Sequence, residues 1–454
     1  MPSKENLHQL TATQSAALIG KKEISPVELV DALLDRIQTY DSKLKSFATV
    51  TGEVARKQAQ EAEREIVQSG PKSPMHGIPY GLKDIIDTAG ILTEAGSKVY
   101  EGRVPEKDAH VVQLFNNAGA IMMGKTVTTE FAGGHPSKSV NPWNPEYTPA
   151  GSSSGSGVAV AARFIPAALG TQTVGSVLRP AAYNGVIGFK PSFGRIGRTG
   201  VIPMSWSCDH VGILVRSVDD AALVLNTLAG YDPSDDGSIN KVPPNFSAEI
   251  NQISSTPKIA FIKTYFLDES QDITRQDVLR VAELLANAGA TVEEVDPGID
   301  FADGYNAHRI VQQAEMAEWH QPLYDATPDL YQAITLEYMK NGRGFSAIEF
   351  IRANNVREKM RDAVLKILET FDVLMMPTAS GPATLGLLNT GDTRFQSPWS
   401  FTGLPSIALP TGLTPSGLPT SVQLVGSKMG EVGLLAAAQW VEKSMNVSIE
   451  PELS

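Results

Sequence analysis

The chain has 454 residues, 42% of them hydrophobic and 19% charged, with 39 glycines and 29 prolines that gather into no low-complexity tract. That is the make-up of a globular α/β protein, long enough for roughly two to three ordinary domains or one large one. A net charge of −12 argues against nucleic acid or an anionic membrane as the main partner, since both reward basic patches, and the single cysteine, Cys208, excludes an intrachain disulfide and a cysteine-based metal cluster.

The chain starts without an apolar secretion core and contains no apolar run of about eighteen residues, so a cytoplasmic protein is expected. Ser25-Pro-Val-Glu28 is a capping box with proline at the first helical position, and it launches Leu29, Val30, Leu33, Leu34 and Ile37 at helical spacing. Thr11 to Gln14 offers a second box, and residues 51–68 read as a charged, alanine-rich helix. Residues 1–70 are thus expected to form an N-terminal helical segment before an α/β region, 71–454. Within that region Val111–Phe115 runs into Asn-Ala-Gly119 and then the apolar Ala120–Met123, and Val281–Gly289 runs into Thr291–Val295 in the same way. In both, a helix is stopped by glycine and the chain turns into a strand. Lys258–Ile262, Asp372–Met376 and Thr420–Val425 read as strands, Ser217 caps a helix through Leu228, and Gly430–Lys443 is a last amphipathic helix. The polar stretch 231–256 is the only candidate boundary, so one domain over 1–454 is the preferred reading.

Several motifs compete to carry chemistry. Gly119–Thr126 satisfies the phosphate-loop pattern G-x-x-x-x-G-K-[ST], but apolar residues fill the place where a loop must offer free N–H groups. Gly151–Gly155 satisfies the nucleophile-elbow pattern with Ser153 at its centre, giving an α/β-hydrolase-type serine esterase as the alternative; yet no strand precedes it and the last histidine is His320. The same Gly/Ser run also reads as a connector, and Ser152 also reads as an N-cap. Lys83, in the apolar Gly77-Ile-Pro-Tyr-Gly-Leu-Lys-Asp84, is a catalytic base only if it is buried and uncharged; otherwise it is a surface charge partnered by Asp84.

Taken in order, Gly77–Asp84, Gly151–Gly157 and Thr171–Pro180 resemble the amidase signature family of serine hydrolases. The resemblance continues through Ala181–Pro191, Asp209–Gly212, Thr402–Pro410 and Gly417–Gln423, and is weakest between about 240 and 370. It implies one α/β domain with a central mixed, twisted sheet flanked by helices. It also implies a Ser–cis-Ser–Lys triad that cleaves an amide, anilide or carbamate bond without metal or cofactor. By motif position Ser176 is the nucleophile, Ser152 the bridging serine after a cis peptide from Gly151, and Lys83 the base. Backbone N–H groups of Thr173, Val174, Gly175 and Ser176 would form the oxyanion hole, with Gly151, Ser153, Gln172 and Arg179 supporting the loop. The implied partner is a small-molecule amide or carbamate, acted on by a monomer or homodimer.

The chain departs from the family pattern at Val174, where glycine is usual, at Gln172 for an aspartate, at Leu178 for an arginine, and at Ala150 and Ser154 for glycines. These departures argue against the glutaminase component of the tRNA amidotransferase complex. Substrate preference is expected to lie in the divergent part, 230–370, where residues 300–345 gather Tyr305, Met316, Trp319, Tyr324, Tyr331, Tyr338, Met339 and Phe345. Such a wall suits aryl amides, anilides or urethanes; the same residues also read as helix core.

Overall fold

A computed structural model describes residues 4–453. Both predicted capping boxes form: Thr11 caps the helix Ala12–Gly20 and Ser25 caps Pro26–Leu44, with side chain and backbone bonded reciprocally in each. The second helix buries Leu29, Val30, Leu33, Leu34 and Ile37 and packs against the helix Gly52–Ser69. These N-terminal helices are held to the rest: Thr13 donates to the buried Asp220 through N–H and hydroxyl, at 2.7 and 2.8 Å.

The body is one sheet of eleven strands: β1 (Phe47–Val50), β2 (Pro79–Lys83), β3 (Ile121–Thr126), β4 (Ala167–Gln172), β5 (Ile187–Lys190), β6 (His210–Val215), β7 (Lys258–Phe261), β8 (Thr291–Glu294), β9 (Val373–Pro377), β10 (Ser406–Leu413) and β11 (Pro419–Val425). The order across it is β1-β3-β2-β4-β6-β5-β10-β11-β9-β7-β8. Strands β3, β2 and β4 run parallel at one end and β8, β7 and β9 at the other; the antiparallel run from β4 through β6, β5, β10 and β11 to β9 joins them. The two helix–glycine–strand phrases thus supply β3 and β8, one in each parallel group. Nearly continuous burial along β2, β3 and β4 is what a parallel group covered on both faces requires.

The polar stretch 231–256 is tied down, not a linker. Its Asp232 and Asp235 accept from Thr199 N and the Arg198 guanidinium, and its short helix Phe246–Ile250 buries both end residues. The divergent part adds three long helices, Phe301–Ala326, Ala333–Gly344 and Ala347–Ile367, the first packed on the other two. Glycine at 342 permits the first crossing, since a Cβ there would lie 1.9 Å from Gln313 O. No helix among the described residues is long and apolar enough to cross a membrane.

Candidate active site

In open α/β sheets, ligands sit beyond the carboxyl ends of parallel strands, where side chains converge without filling the sheet. Lys83 is the last residue of β2 and Gln172 the last of β4, the parallel strand beside it. Lys83 is 0% exposed. Its Nζ lies 2.7 Å from Ser152 Oγ, 2.8 Å from Thr171 Oγ1 and 3.5 Å from Thr171 O, and it has no ion pair among the described residues. Burial therefore drives its pKa well below the ordinary lysine range, with the charge of Asp209 opposing the drop.

Asp84, the neighbour in sequence, does not pair with Lys83. Side chains alternate along a strand, and Asp84 belongs to Lys125 on β3, with Oδ1 3.9 Å from Nζ. Lys125 is buried within β3 and bonded to Ile86 O, Thr88 and Thr93, so Gly119 caps a helix and Ile121–Thr126 is a strand with its lysine turned inward, not a phosphate loop.

The Gly151–Ser152 peptide is cis. Ser153 ends the turn as N-cap of the helix Ser154–Ala161, its hydroxyl locked against Thr171 N and O at 3.2 Å each. No strand leads into Ser153 and no histidine contacts it among the described residues, so the elbow geometry is not formed. The helix start sits tight on β3 because residue 155 is glycine; a Cβ there would come within 2.3 Å of Val127 N.

Ser176 stands 8% exposed on the loop leaving β4, and its carbonyl accepts from Ser153 N at 3.3 Å. Its hydroxyl has no hydrogen bond among the described residues, to Ser152 or otherwise. The N–H groups of Thr173, Val174, Gly175 and Ser176 likewise donate to no protein acceptor there, leaving four consecutive donors free. Gln172 holds the loop: its Oε1 accepts from Val177 N and Leu178 N at 2.8 and 2.9 Å, capping the helix Leu178–Asn184, and its Nε2 donates to Ser400 Oγ. Ser400 Oγ in turn donates to Val174 O at 2.8 Å. A neutral amide thus does the orienting where an aspartate is usual, and Val174 is not among the residues with positive φ, so its β-branch fits the loop without backbone strain.

Ser176 lines a cavity of about 330 Å³, with Arg179, Tyr305, His308 and Tyr338 on its walls. A second cavity of about 720 Å³ adjoins it, the two sharing Ala132, Thr173 and Met204. Of the eight aromatic and methionine residues singled out between 300 and 345, Tyr305 and Tyr338 reach the smaller cavity. Met316, Tyr331 and Met339 are buried in the core, Tyr331 packing beside Phe131 and His320.

Sequence reasoning did not single out four side chains that shape the site. Thr171 contacts the lysine directly. Thr173, expected to act only through its backbone, donates its hydroxyl to Asp209 at 2.5 Å, and Asp209 also accepts from Met204 N and Ser205 N. His308, buried against Phe401, pairs through Nδ1 with Ser397 Oγ at 2.7 Å, and burial first, then Arg357, drives its pKa down to about 3, so it is a neutral group. Thr171, Thr173 and Asp209 lie inside the motif phrases, but only contacts across β2, β4 and β6 reveal their part.

The geometry gives an α/β protein with a buried lysine–hydroxyl cluster at the carboxyl ends of its parallel strands, and the comparisons make it an amide-processing enzyme. Residues 28–435 match the family model described as Amidase, and the chain belongs to the amidase signature family. It is similar to the glutamyl-tRNA(Gln) amidotransferase subunit of Geobacter sp. (strain M21), at 34% identity over 96% of this chain and 97% of that one. Among solved structures it resembles one from a study of a vestigial protein complex and the origins of an s-triazine catabolic enzyme, with TM-score 0.90, 27% identity, and 98% and 100% of the two chains covered. It also resembles the peptide amidase of Stenotrophomonas maltophilia, with TM-score 0.84, 28% identity, and 98% and 99% covered.

Proposed function

We propose that this enzyme hydrolyses a linear amide C–N bond through an acyl-enzyme on Ser176, with Ser152 relaying protons to and from Lys83. One observation carries the reading: an amine sealed from solvent, 2.7 Å from Ser152 Oγ, with hydroxyl and carbonyl neighbours and no carboxylate partner. An uncharged amine has two N–H donors and one lone pair. Thr171 Oγ1 and O take the donors, which leaves the lone pair for the Ser152 hydroxyl proton.

The steps follow from that. As Ser176 Oγ attacks the carbonyl carbon, its proton passes to Ser152 Oγ, whose own proton moves to Lys83 Nζ. Negative charge gathers on the carbonyl oxygen, where the N–H groups of Thr173 to Ser176 are free to receive it; one such donor is worth about 3–4 kcal/mol in the transition state. The Lys83 ammonium returns the proton through Ser152 to the departing amine, and the C–N bond breaks. Water then adds to the ester by the same relay and frees Ser176.

A fluorophosphonate probe followed by peptide mass mapping tests this. The adduct is expected on Ser176, absent in Ser176→Ala and retained in Ser153→Ala. An adduct on Ser153, or amide turnover that survives Ser176→Ala, sinks the proposal.

The preferred substrate is a small-molecule amide, handled in the cytoplasm by a monomer or homodimer, with divergent residues 230–370 supplying specificity. With Tyr305 and Tyr338 alone of the aromatic stretch on the cavity, support for anilides or carbamates is limited to those two rings. A second reading, favoured by the Geobacter relative, makes the chain the amide-hydrolysing member of an amidotransferase assembly. Ammonia release from glutamine, primary aliphatic amides and unsubstituted urethanes, together with arylamine release from anilides, separates the two: turnover of glutamine alone favours the assembly.

A further inference from the structure

Arg179, three positions beyond Ser176 on the helix Leu178–Asn184, lines the cavity that holds Ser176 and is 2% exposed. Its Nη2 donates to Gly151 O at 2.6 Å and to Thr390 Oγ1 at 3.3 Å; Nε and Nη1 have no acceptor. No carboxylate forms an ion pair with it among the described residues. The acid that lines the cavity with it, Asp392, is held instead by Arg394, whose Nε and Nη2 approach to 2.9 and 2.8 Å. A second guanidinium on the cavity wall, Arg309, has no ion pair among the described residues either.

Holding the Gly151 carbonyl needs one donor and no charge. A buried guanidinium left without a counter-ion costs several kcal/mol, and its planar fork matches a carboxylate in two parallel hydrogen bonds. The Tyr338 hydroxyl on the same wall also makes no hydrogen bond among the described residues, so it is a further donor at that place. Asp392, the one acid on the wall, offsets Arg179 only from a distance and is shared with Arg394, so the cavity beside the nucleophile carries an excess of positive charge with donors in reserve.

We infer that Arg179 is a specificity-determining residue that receives a carboxylate of the substrate, so that the enzyme takes amides bearing a free carboxylate in preference to uncharged ones. This rests on the reading of Ser176 as nucleophile.

The test compares succinamate, glutaramate and adipamate with their methyl esters, read as ammonia release. A charge-assisted hydrogen bond contributes about 1.5–3 kcal/mol, so the wild type is expected to favour at least one acid over its ester by about tenfold or more in kcat/KM, mostly through KM. In Arg179→Gln that ratio is expected to fall to near one, and in Arg179→Lys to an intermediate value. Equal turnover of acids and esters by the wild type overturns the inference. So does a ratio left unchanged in Arg179→Gln, which means the arginine only positions Gly151. Should Arg179→Gln fail to fold, the wild-type protein decides: glutarate is expected to inhibit competitively where dimethyl glutarate does not, and equal inhibition counts against the carboxylate site. Calorimetry on Ser176→Ala keeps the two readings apart, because glutaramate binding is expected to persist there whichever serine is acylated.

Discussion

Lys83 ends β2, and Lys125 sits on the adjacent β3 opposite Leu82, so strand alternation turns their side chains to opposite faces of the sheet. Neither has any solvent exposure. Around Lys125 stand a carbonyl, two threonine hydroxyls and the Asp84 carboxylate, a set of acceptors suited to an ammonium. Burial pulls its pKa down and Asp84 holds it up, while burial raises Asp84 and Lys125 restrains it. Around Lys83 stand two hydroxyls and a more distant carbonyl, with no carboxylate in contact. A third buried lysine, Lys190, donates to the carbonyls of Pro191 and Leu404, and burial lowers its pKa to about 7. Burial alone therefore does not make a base. What distinguishes Lys83 is that no carboxylate touches it, as Asp84 touches Lys125, and that its hydroxyl partner Ser152 adjoins Ser153, whose N–H binds Ser176 O.

The comparison breaks most visibly by deleting each amine in turn. Lys83→Met is expected to cut kcat/KM by about 10⁴-fold or more, with the protein still folded. Lys125→Met strands Asp84 as an unpaired buried charge, so it is expected to cost about 3–5 kcal/mol of stability while kcat stays within about tenfold of wild type. Denaturant midpoints and steady-state kinetics on both variants check this. A folded Lys125→Met protein as inactive as Lys83→Met would erase the distinction.

A smaller effect is expected at Thr171. Valine there removes the hydroxyl that accepts from Lys83 at 2.8 Å, leaving a buried N–H unpaired at about 1–3 kcal/mol. The expected loss is about tenfold in kcat, with KM little changed, because the contact orients the lone pair and does not hold substrate. A loss confined to KM would show that Thr171 faces the substrate instead.

These residues also mark where the sequence was legible. Helix starts were, because a capping box is local: Ser25 and Glu28 meet within one turn. The pairing of Lys83 with Ser152 came from a family resemblance, and 69 residues separate them. The alternative that paired Lys83 with Asp84 rested on adjacency and does not form, since alternation parts neighbours while parallel register brings Lys125 alongside. Thr173 and Asp209 meet across β4 and β6, 36 residues apart, and nothing in either phrase announces the other. In the 300–345 stretch, composition gave aromatic rings but not which face of each helix looks at the cavity; Tyr305 and Tyr338 do, while Met316 and Met339 pack the core. Arg179 read as loop support because its place on a cavity wall depends on residues 388–393 closing over it from the far end of the chain.

The subtlest way to sharpen the comparison is through charge at a distance. Catalysis needs Lys83 without its proton, so kcat/KM is expected to fall as pH drops through the lowered lysine pKa and to level off above it. Burial sets that lowering, and the Asp209 carboxylate works against it, stabilising the ammonium and holding the pKa up. Asp209 accepts from Thr173 Oγ1, Met204 N and Ser205 N, three donors that favour its charged form against the burial that raises its own pKa. Asp209→Asn removes the charge and keeps the shape, so the acid limb of kcat/KM is expected to move to lower pH. Loosening of Thr173 would lower the plateau, and plateau and limb are separate readouts of one pH profile. A limb that stays in place or moves to higher pH would mean that the group titrating there is not Lys83.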